Sequence, residues 1–324
     1  VKGLGDRLIG PETSSRSRDA RSKPSQTARS SGWSITVGTE SVGPSMQKSF
    51  RNVAWRIFCI GFNLAVILAL TLLSEVGGFI YLVAALAFLS ARMRARKARY
   101  AVFFLTLLAF WMASLVWIVP SLAARYNKVP LPFHATAEFP AEPVSIIYPL
   151  FFRNYVTPAL RDELRRASVA VKKKYDRTIV YLDGCFPLGS RIPLLPHLSH
   201  NDGRKVDIAF SYRDTQSGQR VSPPSPIGYW AYSAPRADEP QPCRDEPSWL
   251  RWDMGWMQSF FSSVQLDEKE TGVMLAVLLE SDRIQKILVE PHLKERFGVQ
   301  DSRIKFQGCN AARHDDHLHV QTTN

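Results

Sequence analysis

Three apolar runs, all before residue 121, constrain this chain more than any other feature. Residues 57–73 are apolar apart from Asn63 and Thr71, residues 76–91 follow after Ser74 and Glu75, and residues 101–120 form the third run. A helix needs about 20 apolar residues to cross a bilayer, with a working range of about 17–25. The third run meets that length. The first meets it when extended back through Arg56, whose aliphatic stem can snorkel. The second is slightly short and reads as a tilted or re-entrant partner, entered through a tight turn at Gly77 and Gly78.

The charges around these runs set an expected orientation. The segment before residue 57 is basic, and so is the loop carrying Arg92, Arg94, Arg96, Lys97 and Arg99. The loop at residues 74–78 has no positive charge and carries Glu75. Positive loops stay on the cytoplasmic side. Three spans therefore predict a cytoplasmic N-terminus and an extracytoplasmic chain after about Ala123. The net charge of +12 fits topology and attraction to anionic headgroups. No nucleic-acid recognition motif accompanies it, so the lipid bilayer is the expected partner and nucleic acid is not.

Four segments follow. Residues 1–52 are rich in Ser, Arg, Gly, Thr and Pro, too polar to offset the entropy of ordering, and read as a disordered basic cytoplasmic segment. Residues 53–122 read as three transmembrane helices. Residues 123–150 carry Pro130, Pro132, Pro140, Pro143 and Pro149 and read as an extended linker or a wrapping arm. Residues 151–324 read as an extracytoplasmic α+β domain.

Within that domain Thr157 is an N-cap candidate and Pro158 a first helical residue. Leu160, Leu164, Ala167 and Val171 recur at helical spacing, and Lys172, Lys173 and Lys174 suit the last turn. Residues 178–182 and 206–210 read as strands. Residues 213–250 read as a long insertion with little regular structure, whose Tyr229, Trp230 and Tyr232 serve either core or substrate, core first. Residues 271–280 read as a helix, 284–289 as a strand, 291–297 as a short helix stopped by Gly298, and Leu318 and Val320 as part of a last strand. Of the four cysteines, Cys59 falls in an apolar run. Cys185, Cys243 and Cys309 allow one oxidised pair and one thiol left over if that part lies outside the cytoplasm.

The chemistry concentrates at two places. One holds His200 and Asp207, the other His314, His317 and His319. On a strand, residues two apart face the same way, so His317 and His319 share a face. Val206 and Ile208 point away from Asp207 into a core. Two neighbouring strands then present Asp207, His317 and His319 together, with His200 reaching in from the preceding loop and Gly203 allowing the turn between. Three nitrogen and carboxylate ligands with one open position form the pattern of catalytic zinc. His314 is open as ligand, donor or surface residue. His197, beside Pro196, reads as a loop residue, and His134 and His292 have no evident partner.

Ser199-His200 through Val206-Asp207-Ile208, then Ser281 through Val289 with Pro291, then Arg313-His314 through Val320, resemble the penicillin-insensitive murein endopeptidases. Their wider group includes lysostaphin-type enzymes, D-alanyl-D-alanine peptidases and the hedgehog signalling domain. The resemblance covers roughly residues 175–320. It implies a small α+β fold with an antiparallel sheet carrying Zn2+ on His200, Asp207 and His319. It implies His317 as base or transition-state stabiliser and His314 as a nearby assistant. The expected protein is thus a bacterial inner-membrane zinc metallopeptidase, a hydrolase whose substrate is a peptidoglycan peptide in the periplasm. The alternatives are a D,D-carboxypeptidase or dipeptidase, or a non-catalytic zinc-containing cell-wall or protein binding module.

Overall fold

The computed structural model describes residues 44–93, 95–189, 192–195, 197–246, 248, 250–251 and 254–323. Helix α1 (Pro44–Ser74) begins earlier than its apolar run, so residues 44–52 are helical rather than part of a disordered tail. The rest of the 1–52 segment lies outside the described residues. The apolar side chains in the first half of α1 stay largely uncovered by protein, with Trp55, Ile57, Phe58 and Ile60 all more than 60 % exposed. Helix α2 (Gly77–Ser90) has 14 residues, about 21 Å at 1.5 Å per residue, short of a ~30 Å hydrocarbon core. Helix α3 (Arg96–Ala113) turns back along it, with Phe88 against Tyr100, Tyr81 against Phe103 and Phe79 against Phe110.

A π-helical turn at Ser114–Ile118 joins α3 to α4 (Val119–Ala124). Pro120 explains the turn, because its ring clashes with the carbonyl four residues back and it has no N–H to donate. The wider turn absorbs both effects. Two helical stretches, Lys48–Ser74 and Arg96–Ala124, are thus long and apolar enough to cross a membrane. The middle run of the three expected spans gives only the shorter α2.

Residues 123–150 are not a linker. Strand β1 (Val129–Pro130) pairs with β3 (Tyr155–Val156), and β2 (Ala141–Pro143) forms one edge of the main sheet. Leu131 and Ala141 are buried in the core. Proline tolerates this role because an edge strand leaves its missing N–H without a consequence. A short helix, α5 (Ile147–Leu150), lies between β2 and β3.

Helix α6 (Pro158–Tyr175) starts as its sequence predicts. The Thr157 hydroxyl accepts from Leu160 N, and Asp176 ends the helix in the left-handed region. Its buried stripe of Leu160, Leu164, Ala167 and Val171 joins the core. Strands β4 (Ile179–Tyr181) and β5 (Lys205–Ala209) follow. Strands β6 (Tyr212–Asp214) and β7 (Arg220–Val221) form a hairpin inside the expected insertion, and β8 (Val264–Leu266) pairs with β6. A four-residue helix, α7 (Gly255–Gln258), precedes β8. Helix α8 (Glu268–Leu279) is capped by Asp267, whose carboxylate accepts from Glu270 N. Then come β9 (Ile284–Leu288), α9 (Pro291–Arg296), β10 (Ile304–Lys305) and β11 (His317–Thr322).

The main sheet has six strands in the order β10-β9-β11-β5-β4-β2. Its four central strands are antiparallel, but both edge pairs are parallel, so the sheet is mixed and not the antiparallel one expected. Val206, Ile208, Leu318, Val320 and Ile287 point to one face, where α6 and α8 cover them in a single core. Each such fully buried side chain contributes about 1.5–3 kcal/mol. Because strand side chains alternate, Asp207, His317 and His319 must then emerge on the opposite face. Cys243 and Cys309 form a disulfide, while Cys59 and Cys185 are free thiols.

Candidate metal centre

In the β5–β11 register, His319 stands directly opposite Asp207 and His317 opposite Ala209. His200 enters from the turn before β5, where Gly203 adopts φ +74 and its α-carbon lies so close to Thr157 N that a Cβ would meet it at 3.2 Å. A side chain there would be strained by conformation and crowded by Thr157.

Hydrogen bonds indicate which ring nitrogen of His200 and of His317 is available. His200 Nδ1 lies 2.6 Å from the Gly184 carbonyl. A carbonyl only accepts, so Nδ1 carries the proton and Nε2 keeps its lone pair. That Nε2 is 3.1 Å from His319 Nδ1 and 3.3 Å from Asp207 Oδ1. His319 Nδ1 is 2.9 Å from the same oxygen. Four-coordinate zinc with ligand bonds of about 2.0–2.1 Å requires donor atoms roughly 3.3 Å apart. The three donors meet that spacing. His317 Nδ1 lies 2.5 Å from Asp316 Oδ1, which leaves its Nε2 buried without a hydrogen-bond partner, 3.7 Å from Asp207 Oδ1.

The other carboxylate oxygen is held elsewhere. Tyr229 OH donates to Asp207 Oδ2 at 2.8 Å, and His197 Nδ1 lies 2.5 Å from it. The two oxygens are thus divided, Oδ2 held by protein and Oδ1 turned to the histidines, which favours single-oxygen ligation. Tyr229 also contacts Asp183, itself gripped by both Nε and NH2 of Arg153 at 2.6 and 2.9 Å. Such outer contacts orient ligands and tune them. Tyr229 is set in place by two left-handed neighbours, Gly228 and Trp230, at φ 78 and 74. For Trp230 this conformation costs about 1–3 kcal/mol, and its N–H donates to Asp316 Oδ2 at 2.5 Å, tying the turn to the partner of His317.

All five histidine and aspartate positions expected from sequence come together: His200, Asp207 and His319 as a donor triangle, His317 beside them, and His314 with its ring 5.1 Å from His317 and 5.5 Å from His319. Sequence reasoning missed His197, which with His200 and Asp207 forms a group that could hold a metal ion. The spacing His-x-x-His at 197 and 200 was the available signal. His197 sits on the Oδ2 side of Asp207 and His319 on the Oδ1 side with His200, so the tighter triangle is the one with His319. His134 takes no part, and His292 bonds to the Ser233 carbonyl instead.

The centre is closed in. His200, Asp207, His317 and His319 are 0–3 % exposed and His314 is 5 % exposed, whereas the His197 side chain is 11 % exposed. His197 is thus the member of the cluster nearest to solvent. A cavity of about 400 Å³ lies beyond the C-terminal end of β5, lined by Tyr212, Ser233, Gln258, Glu268 and Arg313, and none of the histidines borders it.

In the metal-free protein, burial disfavours charge throughout, and the carboxylates decide where it survives. Asp207 is pushed up by burial but held well below the usual range by His200, His317 and His197. Burial pulls His317 down, but Asp207 and Asp316 outweigh it and raise the imidazole to about 9. His319 is pushed down to about 4 chiefly by burial, with His200 and His317 adding repulsion. The protonated His317 favours the fold below the ordinary value of 6.5, and that contribution, about 3 kcal/mol, is lost as pH rises through about 9. The neutral His319 favours the fold above 6.5, and a similar contribution of about 3 kcal/mol is lost as pH falls through about 4. Melting of the chelator-treated protein across pH 4–9.5 is expected to show greatest stability near pH 6.5, with the alkaline limb removed in His317→Ala. A melting temperature that does not change across this range contradicts the assignment.

A scan against protein-family models finds no match to this chain, and a search of curated proteins finds none.

Proposed function

We propose that this chain is a membrane-anchored zinc metallopeptidase that hydrolyses amide bonds in peptidoglycan peptides, as the resemblance to the murein endopeptidases implies. The observation that carries the reading is the convergence of His200 Nε2, Asp207 Oδ1 and His319 Nδ1 beside the unpartnered Nε2 of His317. A zinc ion on those donors would polarise a carbonyl and bring the pKa of water to about 7. With the metal's charge offsetting the Asp207 carboxylate that keeps this imidazole protonated in the metal-free protein, His317 would serve as the base. Its Nδ1 proton is fixed by Asp316, so Nε2 is the atom that takes a proton from water and returns it to the leaving amine. Tyr229 and His197 hold Asp207 in its single-oxygen pose. His314, which burial keeps well below the ordinary imidazole value, stays neutral beside His317.

The membrane reading proposes α1, α2 and α3 with α4 as the anchor, a cytoplasmic N-terminus, and a domain outside the bacterial inner membrane. The Cys243–Cys309 disulfide supports that side, because disulfides persist in oxidising compartments.

A second reading has its own support. The near-complete burial of the centre suits a metal-stabilised binding module that cleaves nothing. Digesting purified peptidoglycan with the full chain in detergent, and separating products by mass, decides between them. New chelator-sensitive muropeptides are expected, with His317→Ala slowing their release by about 10²–10⁴-fold while metal stays bound. Metal without products supports the binding module.

A further inference from the structure

The end of the sheet where His200 enters, just before β5, is also the end tied to the apolar helices. Gly203, just before β5, packs against Lys128, just after α4. Lys128 Nζ donates to the carbonyls of Phe186 and Leu188 at 2.8 Å. Leu188 N in turn donates at 2.7 Å to Glu75, the buried residue at the turn between α1 and α2. Trp111 of α3 donates Nε1 to the Leu150 carbonyl at 3.1 Å and meets the rings of Phe151 and Phe152. Leu115, Val119 and Ala123 then pack with Phe152 and Tyr155 in one cluster. No free linker intervenes between helix and domain, so the metal centre is held at one height.

That height follows from the helices. Gly77, the first residue of α2, abuts Trp111, so the Glu75 turn and Trp111 share a level. The rise from Arg96 to Trp111 is about 22 Å, compared with a ~30 Å hydrocarbon core. Leu150 and Leu188, bonded at this level, therefore lie about 8 Å short of the far hydrocarbon boundary, in the outer half of any bilayer that α3 crosses from Arg96. Nearby residues of the domain leave large apolar side chains uncovered. Ile146 and Ile147 precede Leu150, Leu195 gives its carbonyl to Arg153 beside Phe152, and Leu198 follows His197. Their exposures are 51, 45, 49 and 56 %. Uncovered apolar side chains gathered in one region mark a contact surface, and here the region adjoins the uncovered flank of α3, which has no buried residue.

We propose that this face of the domain rests in the outer surface of the bilayer, and that the centre acts on peptides attached to lipid in that bilayer in preference to finished wall. The substrate half rests on the peptidase reading, whereas the bilayer contact does not. Leu195 and Leu198 flank His197, the most exposed member of the cluster, so the approach to the metal opens where a lipid-attached peptide lies. Such a substrate is a wall precursor before its polymerisation, placing the reaction upstream of cross-linking.

The test uses the full chain in nanodiscs of phosphatidylethanolamine and phosphatidylglycerol, in a Cys59→Ser background. A spin label at Leu198→Cys is compared with one at Trp256→Cys on α7, beside the 400 Å³ cavity near the other end of β5. Retained metal content confirms that each variant is folded. The label at 198 is expected to relax with oxygen and resist an aqueous nickel reagent, and the label at 256 to do the reverse. Equal nickel access at both positions overturns the bilayer contact. The same nanodiscs then carry a stem peptide on a lipid, compared with that peptide free in solution. At least tenfold faster cleavage of the lipid-attached peptide is expected, and equal rates overturn the substrate assignment. If neither peptide is cleaved and the label at 198 is shielded, the peptidase reading fails and the bilayer contact stands.

Discussion

Replacing Asp207 by alanine is expected to remove metal binding and to destabilise the domain by about 3–5 kcal/mol, the usual cost of leaving one member of a buried ion pair uncompensated. Asp207 is fully buried and faces His197, His200, His317 and His319 at 2.5, 3.3, 3.7 and 2.9 Å. Together with Asp316 it keeps His317 protonated in the metal-free fold. Asp207→Asn separates the two effects. It keeps the shape and the contact with Tyr229, so the fold should lose less than in Asp207→Ala, while the loss of charge still weakens metal affinity. Denaturant unfolding with and without chelator, beside metal analysis, measures both. A metal-loaded Asp207→Ala variant of unchanged stability contradicts the assignment.

Removing the disulfide is the second large effect expected. Cys243 and Cys309 are 66 residues apart in sequence, and closing a loop of that length restricts the unfolded chain by about 4 kcal/mol in the chain-entropy account. The bridge joins the irregular stretch after β7 to the segment between β10 and β11. The Cys243→Ala/Cys309→Ala double variant is expected to unfold at markedly lower denaturant. The disulfide should be intact in protein isolated from cells with thiols blocked at lysis, as an extracytoplasmic domain requires. Unchanged unfolding, or free thiols at both positions, argues against the bridge and against that compartment.

Much of the site was legible because two rules with short reach governed it. Alternation along a strand put His317 and His319 on one face, and the apolar neighbours Val206 and Ile208 turned Asp207 away from the core. Both depend only on adjacent residues. The helix starts were local too, as Thr157-Pro158 shows. What escaped depends on contacts distant in sequence. His197 gained its place only because Asp207 Oδ2 faces it, and Tyr229 because two left-handed residues turn it inward. The arm at residues 123–150 looked like a spacer because prolines dominate it, but an open sheet edge beside β4 accepted Ala141–Pro143. The parallel edge strands likewise reflect which neighbours remained available, a property of the assembled sheet rather than of any segment.

The most direct test of the account is the metal content of the purified full chain, taken before and after chelation and compared among single alanine variants. The account predicts one zinc per chain, lost in His200→Ala and His319→Ala and kept in His197→Ala, because His197 holds Asp207 from the side away from the donor triangle. A chain that binds no zinc, or one that keeps it in His319→Ala and loses it in His197→Ala, contradicts the centre as described.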